Sequence, residues 1–390
     1  MTQILSLIMA LYFAVLSLFG VPFSAPDLEE NNPTPEYTPT EENIRLFREI
    51  FETETEWLAF IQLDNGAIPM THTKNGVVKV NPYFSDLAAL ALLDNAQLYK
   101  ENVKKYMDWH FSHLNTADED YNGLEGTIYD YNMTVTDGKV TKEEIIVING
   151  KKTYDSTDSY AATFLSLLNK YYDKTGDRDY IITHKDEILK IVNVMFATLH
   201  NGLTYATPDH TVKYLMDNCE VYEAFLHTAD LFESVFPEDD ELVAECRETA
   251  EDIKQAVNYD LWNFTGGHSV TEISKHGIPT KIYSWSRYYP CATSQLFPIT
   301  CGLISPNSQR AENLYEEFCE NYRWEYFEYD DAFYWGANVY AAVLMNDLPR
   351  VLVYMENYEG LMENHAYPLY NADIARVSMA AYILLERYEK

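Results

Sequence analysis

The sequence predicts an all-α fold of about twelve helices, and three observations lead to this prediction. Apolar residues recur at helical spacing from Thr40 to the end of the 390-residue chain. Glycine and proline are sparse, so few positions interrupt the periodic segments. Alternate segments are apolar on every side, whereas those between them have a charged face. Because a helix that is apolar all round is a buried one, the alternation indicates an inner and an outer layer.

The helical segments are separated by turn signals, and each has an expected starting point. We expect helices to begin near Thr40, Phe84, Gln97, Asp155, Asp177, Asp217, Asp239, Tyr289, Asn307, Asp331, Leu348 and Asn371. The apolar members contain DLAALALL, SYAATFLSLL, VYEAFLHTADLF, CATSQLFPITCGLI, YWGANVYAAVLM and IARVSMAAYILL. Six inner helices that alternate with six amphipathic outer ones describe an (α/α)6 barrel, a closed ring of six helical hairpins.

This barrel accounts for residues 41–390 as a single domain, and a different composition precedes it. From Ile4 to about Ala25 the chain is uncharged and apolar, and a polar proline-containing linker occupies residues 26–40. Residues 1–25 are expected to form either an export leader cleaved near FSA or an uncleaved membrane anchor, because the run is long enough to span a bilayer. In both cases the barrel is expected to be secreted or at the cell surface.

The composition narrows the class of partner. A formal charge of -33 would repel nucleic-acid phosphates, and the sequence contains no basic stripe. The five cysteines form no CxxC pair, so we expect neither a zinc site nor a full disulfide framework. Thirty-two tyrosines are an unusual number, and rings of this type stack on flat ligands such as sugars. We expect a monomer that binds carbohydrate and uses no cofactor or metal.

The loops that precede the inner helices predict where the ligand binds. If the inner helices run in one direction, their N-terminal ends share one face and surround a single pocket. The loops before three of these helices are long and polar: residues 125–158, 201–220 and 265–290. Each contains strand-like alternation with glycine turns, so β-hairpins are expected on the pocket rim.

Local motifs in the same regions resemble a known superfamily. WLAFIQLDNGAIPM followed by PYFSDLAALALL resembles an opening hairpin, DSTDSYAATFL resembles the acidic start of a fourth helix, and GLTYATPDHTVKYLMDNCEVYEAF resembles the hairpin and acidic start of a sixth. Residues 40–390 therefore resemble the six-hairpin glycosidase superfamily, which includes glucoamylase-like enzymes and unsaturated glucuronyl hydrolases. The resemblance implies glycoside hydrolysis, with a general acid at the start of the sixth helix, and selects no single family.

Glycoside hydrolysis requires a carboxylic acid that protonates the leaving oxygen and a second carboxylate. The pocket loops offer Asp86, Asp155, Asp158, Asp217, Glu220, Asp330 and Asp331. We predict Asp158 and Glu220 as the catalytic pair, because each would lie in the first turn of an inner helix, and leave open which is the acid. Asp86 is the third candidate, since its pairing with Asp158 resembles the aspartate pair of unsaturated glucuronyl hydrolases, which hydrate an enol ether.

The same motifs are also typical of helix caps. In DSTD, Asp155 would be the N-cap and Asp158 its partner; in DNCE, Asp217 and Glu220 would do the same. Two such boxes at equivalent places in successive hairpins favour a catalytic use. Asp155 and Asp217 are then expected to bind substrate or to cap.

Aromatic residues near these boxes are predicted to stack on sugar rings, and Arg287 is predicted to bind hydroxyls or an acidic substituent. The predicted stacking residues are Tyr154, Tyr222, Trp285, Tyr288, Tyr334 and Trp335. Asp118 to Gly123 matches the opening of a calcium loop, but Tyr129 stands where the bidentate glutamate is required. We therefore expect an acidic turn there.

Two alternative functions remain at this stage. A sugar epimerase or lyase on the same barrel would need histidine or tyrosine bases, and His365, His210 and His268 are the histidines best placed for this role. A barrel that binds glycans without catalysis would keep the aromatic residues but would not depend on the acids.

Overall fold

The computed structural model describes residues 37–362, 364–365 and 369–389. Its helices are α1 (Glu41–Ile61), α2 (Pro82–Leu92), α3 (Ala96–Ser112), α4 (Thr157–Thr175), α5 (Arg178–Thr183), α6 (Lys185–Thr198), α7 (Leu215–Val235), α8 (Asp240–Tyr259), α9 (Phe297–Thr300), α10 (Gln309–Asn321), α11 (Gly336–Leu344), α12 (Leu348–Met362) and α13 (Asn371–Tyr388). The prediction of a mainly helical protein is confirmed.

Short strands occupy the connections between helices. They are β1 (Gly76–Val80), β2 (Tyr131–Thr136), β3 (Lys139–Ile145), β4 (Val147–Ile148), β5 (Lys151–Lys152), β6 (Leu199–His200), β7 (Leu203–Thr204), β8 (Val212–Tyr214), β9 (Trp262–Asn263), β10 (His268–Ser269) and β11 (Glu272–Ser274). β1, β2 and β3 form one antiparallel sheet, and the others pair as β4–β5, β6–β7, β9–β10 and β8–β11. The first expected loop contains the hairpins β2–β3 and β4–β5. Hairpins β6–β7 and β9–β10 only overlap the starts of the second and third loops, whose strands β8 and β11 pair with each other instead. β1 is a strand that was not predicted.

Six helices contact one another in a closed series among the described residues. α2 contacts α4, α4 contacts α7, α7 contacts α9, α9 contacts α11, α11 contacts α13, and α13 contacts α2. These helices, or for α9 the helical turns around it, contain the six stretches that were predicted to be buried. Their apolar surfaces require cover on all sides, which the neighbours in the ring and the helices outside it supply.

The remaining long helices pack against members of this ring. α1 contacts α13 and α2, α3 contacts α2 and α4, α6 contacts α4, and α8 contacts α7. α12 contacts α11 and α1, so it bridges the last and first outer positions. Each presents one apolar stripe to the ring and a charged face outward, as its periodicity predicted.

The fourth ring position is irregular. Residues Tyr288–Ala292 form a π-type turn and Thr293–Leu296 a 3-10 turn before the single α-turn of α9. Pro290 and Pro298 explain the interruption, because proline lacks the N–H that an α-helix needs and restricts the residue before it. Tyr289 accordingly has the extended torsions φ -106° and ψ 135°.

Several predicted starting points were wrong. α4 begins at Thr157 with Ser156 as its N-cap, and α7 begins at Leu215, so neither predicted capping box forms. α11 begins at Gly336 rather than near Asp331. There, Asp331 Oδ1 accepts hydrogen bonds from Phe333 N and Trp335 Nε1, and these bonds hold a turn in place of a helix.

The apolar run at residues 1–25 and most of the linker at 26–40 lie outside the described residues. Within the part of the chain that the structure describes, no helix combines the length and apolarity needed to cross a membrane.

Candidate active site

A cavity of about 500 Å³ opens where the ring helices begin. The first turns of α2, α4, α7, α11 and α13 and the turns before α9 contribute to its wall. Loop residues beside β8 and β11 contribute to the same wall. The N-terminal ends of the ring helices thus surround one space, as predicted from the direction of the inner helices.

Charged and aromatic side chains dominate the wall of this cavity. The carboxylates among its described lining residues are Asp155, Asp217, Glu220, Glu272 and Asp373, and the basic side chains are His210, Lys281 and Arg376. The aromatic residues are Tyr83, Phe84, Tyr160, Tyr214, Tyr289, Phe297, Phe333 and Trp335. Aromatic faces with a few polar groups are typical of a site for a sugar-sized ligand.

Asp158 lies just behind the cavity wall rather than on it. It is the second residue of α4 and is fully buried. Its Oδ1 accepts hydrogen bonds from Ser156 Oγ and Ser159 N, and its Oδ2 accepts one from Thr204 Oγ1 at 2.6 Å. Burial raises the pKa of Asp158 to about 6, although these hydrogen bonds oppose the increase.

Asp217 faces the cavity and is connected to Asp158 through one hydroxyl group. Because α7 begins two residues earlier than expected, Asp217 is the third residue of the helix. Its Oδ2 lies 3.2 Å from Ser156 Oγ, the same atom that bonds to Asp158. Burial, and then the nearby charge of Asp158, raise the pKa of Asp217 well above its ordinary value.

The bridge by Ser156 requires a proton on one of the two carboxyl groups. A serine hydroxyl has one hydrogen to donate, and it cannot donate to Asp158 and Asp217 at once. A proton on Asp217 completes the chain, since Asp217 then donates to Ser156 and Ser156 donates to Asp158. The raised pKa of Asp217 is consistent with this arrangement.

Glu220 lies one helical turn deeper on the same face of α7. Its Oε1 accepts a hydrogen bond of 2.5 Å from Tyr83 Oη at the start of α2. Burial raises the pKa of Glu220 to about 8, while the hydrogen bond from Tyr83 and the charge of Arg376 oppose the increase. The side chain is 5% exposed and lines the cavity, so it is neutral at neutral pH and accessible to a ligand.

α13 stands opposite α7 in the ring and presents two charged groups at matching depths. Asp373 is the third residue of α13, as Asp217 is of α7, and Arg376 corresponds to Glu220 one turn deeper. Asp373 Oδ1 accepts a hydrogen bond from Gly336 N at 3.1 Å. Burial raises the pKa of Asp373 to about 7. Among the described residues, its Oδ2 is buried without a hydrogen-bond partner.

Asp86 does not line the cavity, contrary to its predicted role. It is the fifth residue of α2 and is fully buried between α3 and α4. Tyr106 Oη and Thr163 Oγ1 each donate a hydrogen bond of 2.7 Å to its carboxyl group. Burial raises the pKa of Asp86 well above its ordinary value. Asp86 therefore tethers helices inside the protein.

Most of the predicted stacking residues also lie elsewhere. Trp335 lines the cavity, but Tyr154, Tyr222, Trp285, Arg287, Tyr288 and Tyr334 are not among its lining residues. Tyr154 is stacked on Tyr129, with ring centroids 5.3 Å apart, and Tyr288 is stacked on Tyr329 at 4.3 Å. These rings fill spaces between loops and helices, the role expected for tyrosine in a large helical core.

The other three predicted aromatic residues and the arginine make contacts outside the cavity wall. Tyr222 is beneath Lys254 of α8, so it faces the outer layer. Trp285 accepts a hydrogen bond from Tyr322 Oη on its carbonyl, and Arg287 is exposed and donates to the Ile282 carbonyl. The ring of Tyr334 packs edge-on against Phe327.

Residues that the sequence analysis missed include Tyr83, Glu272, Lys281, Asp373 and Arg376. Asp373 was detectable, because NADIAR places an acid in the first turn of the last ring helix, the same signal that was used for α4 and α7. Tyr83 and Lys281 had no such signal, since only the packing of separate segments brings them to the cavity.

Of the three histidines considered earlier, His210 lines the cavity, and the other two are engaged outside it. His268 is stacked on Tyr283 at 3.7 Å. His365 is stacked on Trp57 at 4.1 Å and lies 2.6 Å from Glu54 Oε2. In the segment 118–123, Asp120 Oδ1 accepts hydrogen bonds from Asn122 N and Leu124 N, which form a tight acidic turn.

The comparisons with known proteins agree on the fold. No family model and no curated protein sequence matches the chain. Among solved structures, a wild-type glycosidase has a TM-score of 0.62 at 11% identity, covering 90% of this chain and 99% of its own. A rhamnosidase from Klebsiella oxytoca with rhamnose bound has a TM-score of 0.56 at 12% identity, covering 91% and 66%. A D-mannose isomerase has a TM-score of 0.54 at 10% identity, covering 90% and 100%.

Proposed function

We propose that the chain is a glycoside hydrolase built on an (α/α)6 barrel, with Asp217 as general acid and Asp373 as general base. One observation carries the proposal: two carboxyl groups of raised pKa occupy the third positions of opposite ring helices and face one cavity. Hydrolysis of a glycosidic bond needs such a pair on either side of the bond. The fold shared with glycosidases supports the same reaction class.

Asp217 suits the acid role because a general acid must be protonated when the substrate binds. Burial raises the pKa of Asp217 and so favours its protonated form, and its third position in α7 puts it nearer the mouth than Glu220. In a cavity that opens at one end, the leaving group lies toward the mouth. An acid at this depth can therefore protonate the oxygen between the enclosed sugar and the leaving group.

Asp373 suits the base role because it is opposite the acid at the same depth. The Gly336 N–H fixes one carboxyl oxygen, and Oδ2 is buried without a hydrogen-bond partner among the described residues, so a water must enter beside it before this oxygen can accept a proton. A pKa of about 7 matches a base that works near neutral pH.

Asp158 and Glu220, the pair predicted from the sequence, receive supporting roles in this proposal. Asp158 acts through Ser156 to orient Asp217 and to favour its protonated form by its negative charge. Glu220 and Tyr83 form a hydrogen-bonded floor that can bind sugar hydroxyls. Asp155 is exposed at the mouth, where it can contact the leaving group.

The size of the cavity indicates a short substrate or the end of a chain. Its volume of about 500 Å³ is in the range of small-molecule sites. We expect one sugar to be enclosed and the remainder to extend toward the rim hairpins. Hydrolysis is proposed to take place outside the cytoplasm, because residues 1–25 are expected to form an export leader or a membrane anchor.

An isomerase is the second candidate, because a D-mannose isomerase shares the fold. The lining residues favour hydrolysis: among the described residues of the wall there are five carboxylates but one histidine, His210. Proton transfer between neighbouring sugar carbons by histidine bases would need a second such group at the cavity.

The test is reducing-end release from plant, bacterial and α-glucan oligo- and polysaccharides by the wild type, Asp217→Asn, Asp373→Asn and Glu220→Gln. Asp209→Asn is the control, because Asp209 is an exposed rim carboxylate paired with Lys151. We expect each of the first two variants to lose about 10²- to 10⁴-fold in rate. Asp209→Asn should retain the wild-type rate.

A nitrophenyl glycoside of the preferred sugar then separates the two roles. Its leaving group needs little protonation, so Asp217→Asn should recover much of its activity while Asp373→Asn should not. Full activity of both variants on natural substrates would refute the assignment. Glycan binding without any hydrolysis would indicate a binding barrel, and interconversion of aldose and ketose would indicate the isomerase.

A further inference from the structure

The floor of the cavity contains a cation whose charge is not neutralised by an ion pair. Arg376 lines the cavity in the second turn of α13. Its guanidinium lies 5.0 Å from the ring centroid of Tyr340, a cation–π contact. Among the described residues, no carboxylate oxygen lies within 4.0 Å of it and no hydrogen bond to it is formed. A guanidinium has five N–H donors, and those of Arg376 have no hydrogen-bond acceptor among the described residues.

Lys281 is a second cation of the same cavity, and it has an ion-pair partner. It also lines the wall, but its Nζ donates to Glu272 Oε2 at 2.9 Å. A buried cation needs a partner of opposite charge to offset the loss of hydration. Lys281, whose side chain is half exposed, has such a partner, whereas the less exposed Arg376 has none among the described residues.

The carboxyl groups that line the cavity with Arg376 do not form an ion pair with it. Glu220 across the cavity has a pKa raised to about 8 by burial, and Asp373, one turn earlier on α13, has one raised to about 7. Both are therefore largely neutral in slightly acidic solution. Glu223 of α7 attracts Arg376 without forming an ion pair with it. The guanidinium of Arg376 thus has no ion-pair partner at the floor among the described residues, and Glu220 beside it holds a proton in slightly acidic solution.

We propose that the enclosed sugar is a sugar acid, such as a uronic acid, and that Arg376 binds its carboxylate. A planar guanidinium matches a carboxylate with two parallel hydrogen bonds. The protonated carboxyl group of Glu220 can donate a further hydrogen bond to the same carboxylate. The inference rests on the proposed function, because it names the substrate class of that cavity.

The test measures binding rather than catalysis, so that it does not depend on the reaction. D-glucuronic acid and D-galacturonic acid are compared with D-glucose and D-galactose by titration calorimetry at about pH 6, below the pKa of about 8 of Glu220. The proteins are the wild type, Arg376→Gln, Arg376→Lys and Lys281→Gln. Circular dichroism and thermal melting establish that each variant is folded.

We expect the wild type to bind at least one sugar acid about 10- to 100-fold more tightly than its neutral counterpart, the value of charge-assisted hydrogen bonds. Arg376→Gln should lose this preference. Arg376→Lys should keep part of it, because the charge remains but the paired geometry is lost. Lys281→Gln should keep the preference, since Glu272 already occupies that lysine.

Equal or tighter binding of the neutral sugars by the wild type would overturn the inference, and so would a preference that survives in Arg376→Gln. Hydrolysis of neutral glycosides without binding of sugar acids would refute the substrate class and leave the proposed reaction intact. Binding of sugar acids through Arg376 without hydrolysis of any glycoside would support the inference and refute the reaction.

Discussion

Replacement of Glu220 by glutamine should make the protein more stable at neutral pH. Glu220 is 5% exposed, and burial raises its pKa from 4.5 to about 8. Between these two values the folded state holds a proton that the unfolded state has released. The free energy of unfolding therefore falls as the pH rises through this range. Glutamine has the same shape, cannot ionise and can still accept the hydrogen bond from Tyr83.

The magnitude follows from the size of the shift. One pH unit corresponds to about 1.4 kcal/mol for one proton, so ionisation of unfolded Glu220 costs the wild type about 3 kcal/mol by pH 7 relative to pH 4.5. Glu220→Gln avoids this cost. The unfolding entropy is about 2 cal/mol/K per residue. For a chain of this length, the melting temperature of Glu220→Gln should therefore be about 4 °C higher than that of the wild type.

The assay is urea unfolding and thermal melting of both proteins from about pH 4.5 to pH 8. The stability difference should be near zero at the acidic end and should increase up to the pKa of Glu220. Asp209→Asn is a control for which the stability change has the opposite sign. Hydrogen bonds from Lys151, Asn122 and Thr207 hold the pKa of Asp209 at about 2, so this variant should be less stable than the wild type at neutral pH. A variant that is less stable at neutral pH, or a difference that does not change with pH, would refute the reasoning.

Three further predictions concern the cavity. Asp373 must lose its proton to act as a base. The acidic limb of a kcat/KM profile should therefore have a midpoint near its pKa of about 7, and this limb should disappear in Asp373→Asn. A midpoint near 4 would contradict the role. In Asp158→Asn the charge that raises the pKa of Asp217 is gone, so the alkaline limb should move to lower pH, whereas an unchanged profile would exclude coupling through Ser156. Gly336→Ala should lower the free energy of unfolding by about 1–3 kcal/mol and reduce kcat, because the alanine Cβ would lie 2.3 Å from the Asp373 carbonyl oxygen. If the variant has wild-type stability in chemical unfolding, the close approach of α11 and α13 is contradicted.

Much of the fold could be predicted from the sequence, but less of the site could. The six apolar stretches correspond to the ring positions, and strand pairs occur in or beside the expected loops. Asp217 and Glu220 were recognised as candidates and both line the cavity. Asp158, the other half of the predicted pair, lies behind Ser156, and Asp86 is enclosed between helices. The difference arises because a carboxylate near a helix start is visible in the sequence, whereas the direction in which it points is not.

Helix starts show the physical origin of this difference. α7 begins at Leu215 rather than near Asp217, and each residue along a helix turns the side chain by about 100°. A shift of two residues therefore decides whether a side chain caps the helix or faces the cavity. Hydrogen bonds with other segments, such as the one between Asp217 and Ser156, decide that orientation.

By itself, the sequence determined the elements that are buried, because apolar periodicity reports locally on which surface of a helix avoids water. It also determined where the polar loops and acidic helix starts occur along the chain. The tertiary structure alone decided that Asp217 of α7 and Asp373 of α13 line one cavity, and that Arg376 also lines it while Lys281 is paired with Glu272. These partners are far apart in the chain, and only the closure of the helical ring brings them to one cavity.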